Sequence, residues 1–158
     1  MEEERGYFPT IADIQTPLPE GELEILERHY QKEQPHVSVQ TRFNLAWGYI
    51  KSNAAADQKK GLDLLVGIYN DSASRRRECL FYFALGSYKL GDYTAARKYA
   101  DILLQHEPQN RQIVALRQEI EEKLNREGLV GMAIVGGAVA AVGAGATLLG
   151  VLLGKRRR

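Results

Sequence analysis

Leu129 to Gly154 is a run of 26 residues without a single charged side chain, and Lys155-Arg156-Arg157-Arg158 follow it directly. As a helix at about 1.5 Å per residue it would be roughly 39 Å long, against a bilayer hydrocarbon core of about 30 Å. A helix of a soluble domain breaks such a run with polar residues on its wet face, and here only Thr147 does so. The competing reading is a buried core helix. It would require the rest of a 158-residue chain to surround these residues on every side, and no second layer of that size is available. The run therefore reads as a single membrane anchor over residues 128–154, with residues 155–158 as a basic tail.

Nothing at the N-terminus competes with this segment for targeting. Met1-Glu2-Glu3-Glu4-Arg5 is acidic and no apolar stretch follows it, so neither a secretory signal nor an Arg-rich transit peptide is expected. The expectation is insertion after synthesis, with residues 1 to about 127 left in the cytosol. Seven glycines and six alanines in the run make a weakly hydrophobic anchor. With a basic tail, such an anchor suits the mitochondrial outer membrane or the peroxisome better than the endoplasmic reticulum. The tail opposes the positive-inside tendency, and Lys123 and Arg126 on the near flank partly offset it. Gly150 and Gly154 have the spacing of a close-packing membrane-helix motif. Among so many glycines that match carries little weight, and self-association is left open.

The remaining part is large enough for one domain with its own core. Its charges are balanced: the whole chain has 21 basic and 20 acidic residues, a net +1, which gives no reason to expect nucleic acid binding. A single cysteine, Cys79, fits a reducing compartment. Three scattered histidines with one cysteine offer no zinc-ligand spacing. No phosphate loop, nucleophile elbow or paired nucleophile and base is present. The expectation is a non-enzymatic protein without a cofactor.

Residues 1–19 read as an irregular arm with Pro9, Pro17 and Pro19. It is either a disordered leader or, through Tyr7, Phe8 and Ile11, a segment that docks on the domain and can release. Ile14 adds a further apolar residue. Beyond it, apolar spacing predicts six helices: about 20–33, 37–52, 61–69, 74–90, 93–106 and 110–126. Pro35 stops the first, Asp57 and Ser74 are candidate N-caps, Gly91-Asp92 turns the chain, and Pro108 stops the fifth. No strand-like alternation appears, so the fold class is all-α.

The helices pair as repeats. With Pro108 placed at position 32 of a 34-residue helical hairpin, Ala84 falls at position 8, Gly91 at 15 and Ala96 at 20. Small residues there allow two helices to cross closely, and bulk would push them apart. Phe81-Tyr-Phe-Ala84-Leu-Gly-Ser-Tyr is preceded, 38 residues upstream, by Phe43-Asn-Leu-Ala46-Trp-Gly-Tyr-Ile. Together these segments resemble two tetratricopeptide repeats, about 39–73 and 77–110, the first degenerate. Helices 20–33 and 110–126 are expected to cap them within a domain spanning 20–127.

The whole arrangement, together with Ser74-Arg-Arg-Arg-Glu-Cys-Leu, Tyr88-Lys-Leu-Gly-Asp-Tyr and Gly128-Leu-Val-Gly-Met-Ala-Ile-Val-Gly-Gly, resembles the tail-anchored mitochondrial fission proteins, particularly the fungal ones. The resemblance covers nearly the full length, and the arm is where this sequence departs from the pattern. It implies a receptor on the outer membrane of mitochondria, and on peroxisomes, that recruits fission adaptor proteins. Through them, and so indirectly, it would gather a dynamin-related GTPase.

In this repeat class the first helix of each hairpin lines a concave face at positions 2, 5, 9, 12 and 13. The second repeat then offers Glu78, Phe81, Leu85, Tyr88 and Lys89, and the first offers Gln40, Phe43, Trp47, Ile50 and Lys51. An apolar floor with charged edges suits an amphipathic helix or an extended segment. Phe43, Trp47 and Phe81 could equally belong to the core, whereas Leu85 and Tyr88 are expected in the groove. Arg75-Arg76-Arg77 reads as a solvated charge run ahead of a site for an acidic partner. The alternative function is a co-chaperone or import receptor gripping peptide carboxylates. That needs a clamp of basic residues, and Lys51 and Lys89 are the only two offered.

Overall fold

A computed structural model describes residues 8–131, with side chains to residue 128. All but residues 128–131 of the expected membrane anchor, together with the basic tail and Tyr7, lie outside the described residues; 128–131 form the end of the last helix. Among those described, no helix is long and apolar enough to cross a membrane. Seven α-helices and one 3-10 turn make up this part, with no strand. They are α1 (Ile11–Gln15), α2 (Glu22–Lys32), α3 (Val39–Lys51), α4 (Ala55–Asp71), the turn Ala73–Arg75, α5 (Arg76–Leu90), α6 (Tyr93–His106) and α7 (Arg111–Gly131).

From α2 to α7 each helix packs on the next in chain order, so the domain is a row of antiparallel hairpins. The starts are set by local chemistry. Ser38 caps α3 by accepting from the Thr41 amide, and Asp92 caps α6 by accepting from Ala95. Asn110 accepts from Gln112 and Ile113 at the head of α7. Each such cap satisfies amides that would otherwise lack a partner in the first turn. Gly91 closes α5 with φ of +82°, a left-handed conformation that costs a β-carbon-free residue nothing.

Three expected starts need correction. α4 begins at Ala55, six residues before the expected Gly61, and its N-cap is Ala54 without a side-chain bond. Asp57 is inside the first turn, where its negative charge suits the helix N-terminus; it accepts from Ser52 Oγ at 2.9 Å and pairs with Lys60. Ser74 does not cap α5. It sits inside the 3-10 turn, and α5 starts without a side-chain cap. The arm is not irregular throughout, because α1 occupies its middle. Thr10 and Asp13 form a reciprocal capping box there: the Thr10 amide donates to Asp13 Oδ2 at 2.7 Å and the Asp13 amide to Thr10 Oγ1 at 3.2 Å.

Close crossings depend on absent or minimal side chains. A β-carbon on Gly61 would lie 2.7 Å from the Ala46 carbonyl oxygen, so α3 and α4 meet backbone to backbone. Gly48 admits Leu26 from α2 and Gly86 admits Leu62 from α4 in the same manner. In the second hairpin Ala84 and Ala96 are wholly buried. Gly61 therefore does in the first hairpin what Ala96 does in the second, three positions later than a 38-residue offset would place it. Pro108 is exposed, in the bend between α6 and α7. The core is continuous from Phe43 through Leu65, Phe83 and Tyr99 to Ile113 and Ile120.

Candidate functional site: a concave groove and its own arm

α3, α5 and α7 line one face of the row, and the arm crosses it. Phe8 is held on three sides. Its ring stacks on Phe81 with centroids 4.0 Å apart and planes 8° from parallel. The Arg77 guanidinium lies 4.6 Å from the ring centroid on a cation–π contact, and Arg77 is itself fixed by two bonds to Glu107 at 2.7 and 3.0 Å. The Gln112 side chain reads the Phe8 backbone: the Phe8 amide donates to Oε1 at 3.2 Å, and Nε2 donates to the Phe8 carbonyl at 3.0 Å. A primary amide pairing in this way reproduces one rung of a β-ladder with a side chain.

Further along the arm, Ile11 packs on the core's edge and Ile14 is fully buried. The far end of α1 is tied by Lys89, whose ammonium donates to the Ile14 carbonyl at 2.8 Å and also to the Lys51 carbonyl. Both are carbonyls at helix C-termini, where a cation is favoured. Desolvation first, and then the neighbouring Lys51 charge, hold the Lys89 pKa below its ordinary value. Between the arm, α5 and α7 a cleft of about 590 Å³ stays open, with Pro9, Ile11, Phe81, Leu85, Gln112 and Leu116 on its walls.

The residues expected to bind a partner thus fall into distinct settings. Gln40 is exposed and accepts from Arg75 at 3.0 Å. Glu78 pairs with Arg75 at 2.9 Å. Phe43 is buried and meets Tyr82 edge to face at 4.7 Å; Trp47 is half-buried against the same ring, with Lys51 over its face. Ile50 is fully buried and contributes to the α3–α4 crossing. Phe81 is both core and platform for Phe8. Leu85 has no exposed surface yet borders the open cleft, and Tyr88 is buried edge to face on Tyr93 at 5.3 Å.

The three arginines remain partly exposed to solvent, but each also has a partner. Arg75 bridges Glu78 and Gln40, Arg76 donates to the Tyr69 carbonyl and covers its ring, and Arg77 locks onto Glu107 and Phe8. Gln112 and the bridging use of Arg77 and Lys89 were not legible in sequence. The one available signal was Thr10-Ile-Ala-Asp13, a capping-box pattern in the arm. Cys79 is buried, and desolvation pushes its thiol up to about 12, far from nucleophile chemistry. Among the described residues no cluster could hold a metal ion.

Fold and site define a class: a tandem helical-hairpin protein of tetratricopeptide type, with its own N-terminal segment lying in the concave groove. Residues 40–72 match the family model described as the Fis1 N-terminal tetratricopeptide repeat, and residues 77–129 match the Fis1 C-terminal tetratricopeptide repeat. The mitochondrial fission 1 protein of Yarrowia lipolytica is 53% identical over 152 residues, 96% of this chain and 97% of that protein. That of Neurospora crassa is 50% identical, covering 95% and 98%. The crystal structure of yeast Fis1 in complex with an Mdv1 fragment superposes with a TM-score of 0.75 at 43% identity, over 78% of this chain and 98% of that one. Yeast Fis1 complexed with a Caf4 fragment gives 0.58 at 44%, over 61% and 99%. The chain belongs to the mitochondrial fission 1 protein family.

Proposed function

We propose that this chain is a non-catalytic receptor that recruits fission adaptor proteins through the groove of α3, α5 and α7, and through them a dynamin-related GTPase. The observation that carries the reading is the likeness to yeast Fis1 solved with an Mdv1 fragment, on a chain whose groove already accepts a peptide segment, its own arm. Glu78, Phe81 and Leu85, with Gln40, Trp47 and Lys51 on the neighbouring helix, are the proposed contact surface. Ile50, Phe43 and Tyr88 support it from beneath. In this reading residues 128–154 are the anchor and 155–158 its basic tail, at the mitochondrial outer membrane and at peroxisomes with residues 1–127 facing the cytosol; the uncharged run 129–154 ahead of Lys155-Arg156-Arg157-Arg158 supports it.

The arm acts as a removable cover. Phe8 and Ile14 are buried and Ile11 is half-buried against the domain, while an undocked arm regains the backbone entropy of every residue released, so closing and opening oppose each other. The carboxylate-gripping alternative gains no support, since Lys89 already serves two carbonyls and Lys51 lies over Trp47. The test is titration of an adaptor's N-terminal fragment against the full chain and against a chain lacking residues 1–19. Binding is expected in both, with an affinity that depends on the arm. No binding to either, with the fold intact, would overturn the reading.

A further inference from the structure

We propose that Thr16 is a phosphorylation site for proline-directed protein kinases, and that its phosphate undocks the arm. The inference rests on the reading of the groove as the partner site and names a regulator of it. Five prolines occur in the chain, and only Pro17 follows a serine or threonine. Thr16-Pro17 is the dipeptide that proline-directed kinases select. Such kinases take their substrates extended, and Thr16 already has φ −87° and ψ 110°. Its side chain is exposed, and residues 17–19 continue without helix. In the docked arm the hydroxyl side is therefore solvent-accessible and the backbone extended from Thr16 onward.

The same hydroxyl helps hold α1 together. Thr16 is the C-cap residue: its Oγ1 donates to the Ala12 carbonyl at 2.9 Å, and its amide to the Asp13 carbonyl at 3.3 Å. Transfer of the γ-phosphoryl group of a nucleoside triphosphate forms the Oγ1–P bond and breaks the bond from phosphorus to the bridging oxygen. The nucleoside diphosphate leaves and the hydroxyl proton passes to the kinase's base. Oγ1 can then no longer donate, and phosphate oxygens face a carbonyl instead.

Charge acts in the same direction. A group of about −1.5 to −2 would stand at the negative end of α1, three residues from the Asp13 carboxylate. The cations on the facing helices are Lys51 of α3 and Lys89 of α5. Lys89 already ties the Ile14 carbonyl down, and because Thr16 is itself part of the arm, a phosphate that drew Lys89 would hold the arm rather than free it. Undocking therefore comes from repulsion at the Ala12 and Asp13 carbonyls, which unwinds α1 and with it the placement of Ile14.

The test uses the purified full chain in detergent, treated with a cyclin-dependent kinase and a mitogen-activated kinase. Phosphate is mapped by mass spectrometry, and arm docking is read as hydrogen-exchange protection of the Phe8 and Ile14 amides. One phosphate at Thr16 is expected, absent in Pro17→Ala, with arm protection falling about tenfold or more. Thr16→Val removes the hydroxyl bond without adding charge and is expected to lose less protection than phosphorylation does. No phosphate at Thr16, or full modification with unchanged protection, overturns the proposal. Adaptor-fragment binding by a chain lacking residues 1–19 is measured alongside. If that chain binds as the whole chain does while phosphorylation still frees the arm, the arm's part in the groove reading fails and the Thr16 switch stands.

Discussion

Gln112 illustrates how much one side chain can decide. Two hydrogen bonds to the Phe8 backbone, each worth about 0.5–1.5 kcal/mol net, hold the arm at its N-terminal end. Gln112→Ala should reduce arm closure roughly 5- to 100-fold, read as loss of exchange protection at Phe8 with the protection of α5 unchanged. Equal protection in the variant would show that the Phe81 stack and Arg77 suffice. Asp13 offers a second handle. Bonds from the Thr10 backbone and side chain hold its carboxyl below the ordinary 3.8. A carboxyl with a depressed pKa in the docked state stabilises that state above its undocked pKa, and the contribution is lost as pH falls through the docked value. Arm protection should therefore fade below about pH 4, and Asp13→Asn should lower it at neutral pH while flattening the acid dependence. An acid profile identical in the two chains would remove Asp13 as the cause.

At the scale of the element, the hairpins rest on contacts that tolerate no volume. The Gly61 β-carbon position meets the Ala46 carbonyl oxygen and Ile50 at 2.7 Å, and backbone oxygen cannot rotate away. Gly61→Ala should therefore destabilise by about 1–3 kcal/mol although alanine is the better helix former. Gly67→Ala, whose added carbon finds only Arg42 at 4.0 Å, should be neutral or stabilising. A lower denaturation midpoint for the first and not the second checks the crossing. Ala84→Trp and Ala96→Trp should each overpack α5 against α6 in the same sense, and an unchanged melting temperature would mean that the repeat register is misplaced. Legibility at this scale was uneven. The starts of α6 and α7 were found within a residue because Asp92 and Asn110 are polar caps ahead of regular apolar spacing, whereas α7 runs to Gly131, past the expected end at 126. α4 was cut short because Ala54-Ala55-Ala56 carries neither cap nor periodicity; these residues are exposed, and the first turn is tied to the end of α3 through Asp57 and Gln58, which both bond to Ser52.

For the whole molecule, the helical domain and the proposed anchor should separate cleanly. Ile113, Leu116 and Ile120, the residues α7 places in the core, all lie upstream of Arg126. A chain ending at Arg126 should remain folded and leave the membrane fraction. Truncated protein that still sediments with membranes after a high-salt wash would refute the single-anchor proposal.

What the sequence determined by itself was whatever depends on spacing along one chain. Helical periodicity, the small residues at Ala46, Ala84 and Ala96, the Gly91-Asp92 turn and the uncharged run 129–154 can all be read locally, because each is a condition on neighbours within one or two turns. The class of fold and the candidate groove helices follow from them. Tertiary structure alone decided what fills the groove. Phe8 and Gln112 are 104 positions apart, and Ile14 and Lys89 are 75 apart; no periodicity encodes such pairs. They exist because the superhelical row brings α5 and α7 within reach of one short segment. The partners of the charged residues were hidden for the same reason: Arg77 looks solvated beside its sequence neighbours, and becomes a clamp only once α6 delivers Glu107 and the arm delivers Phe8.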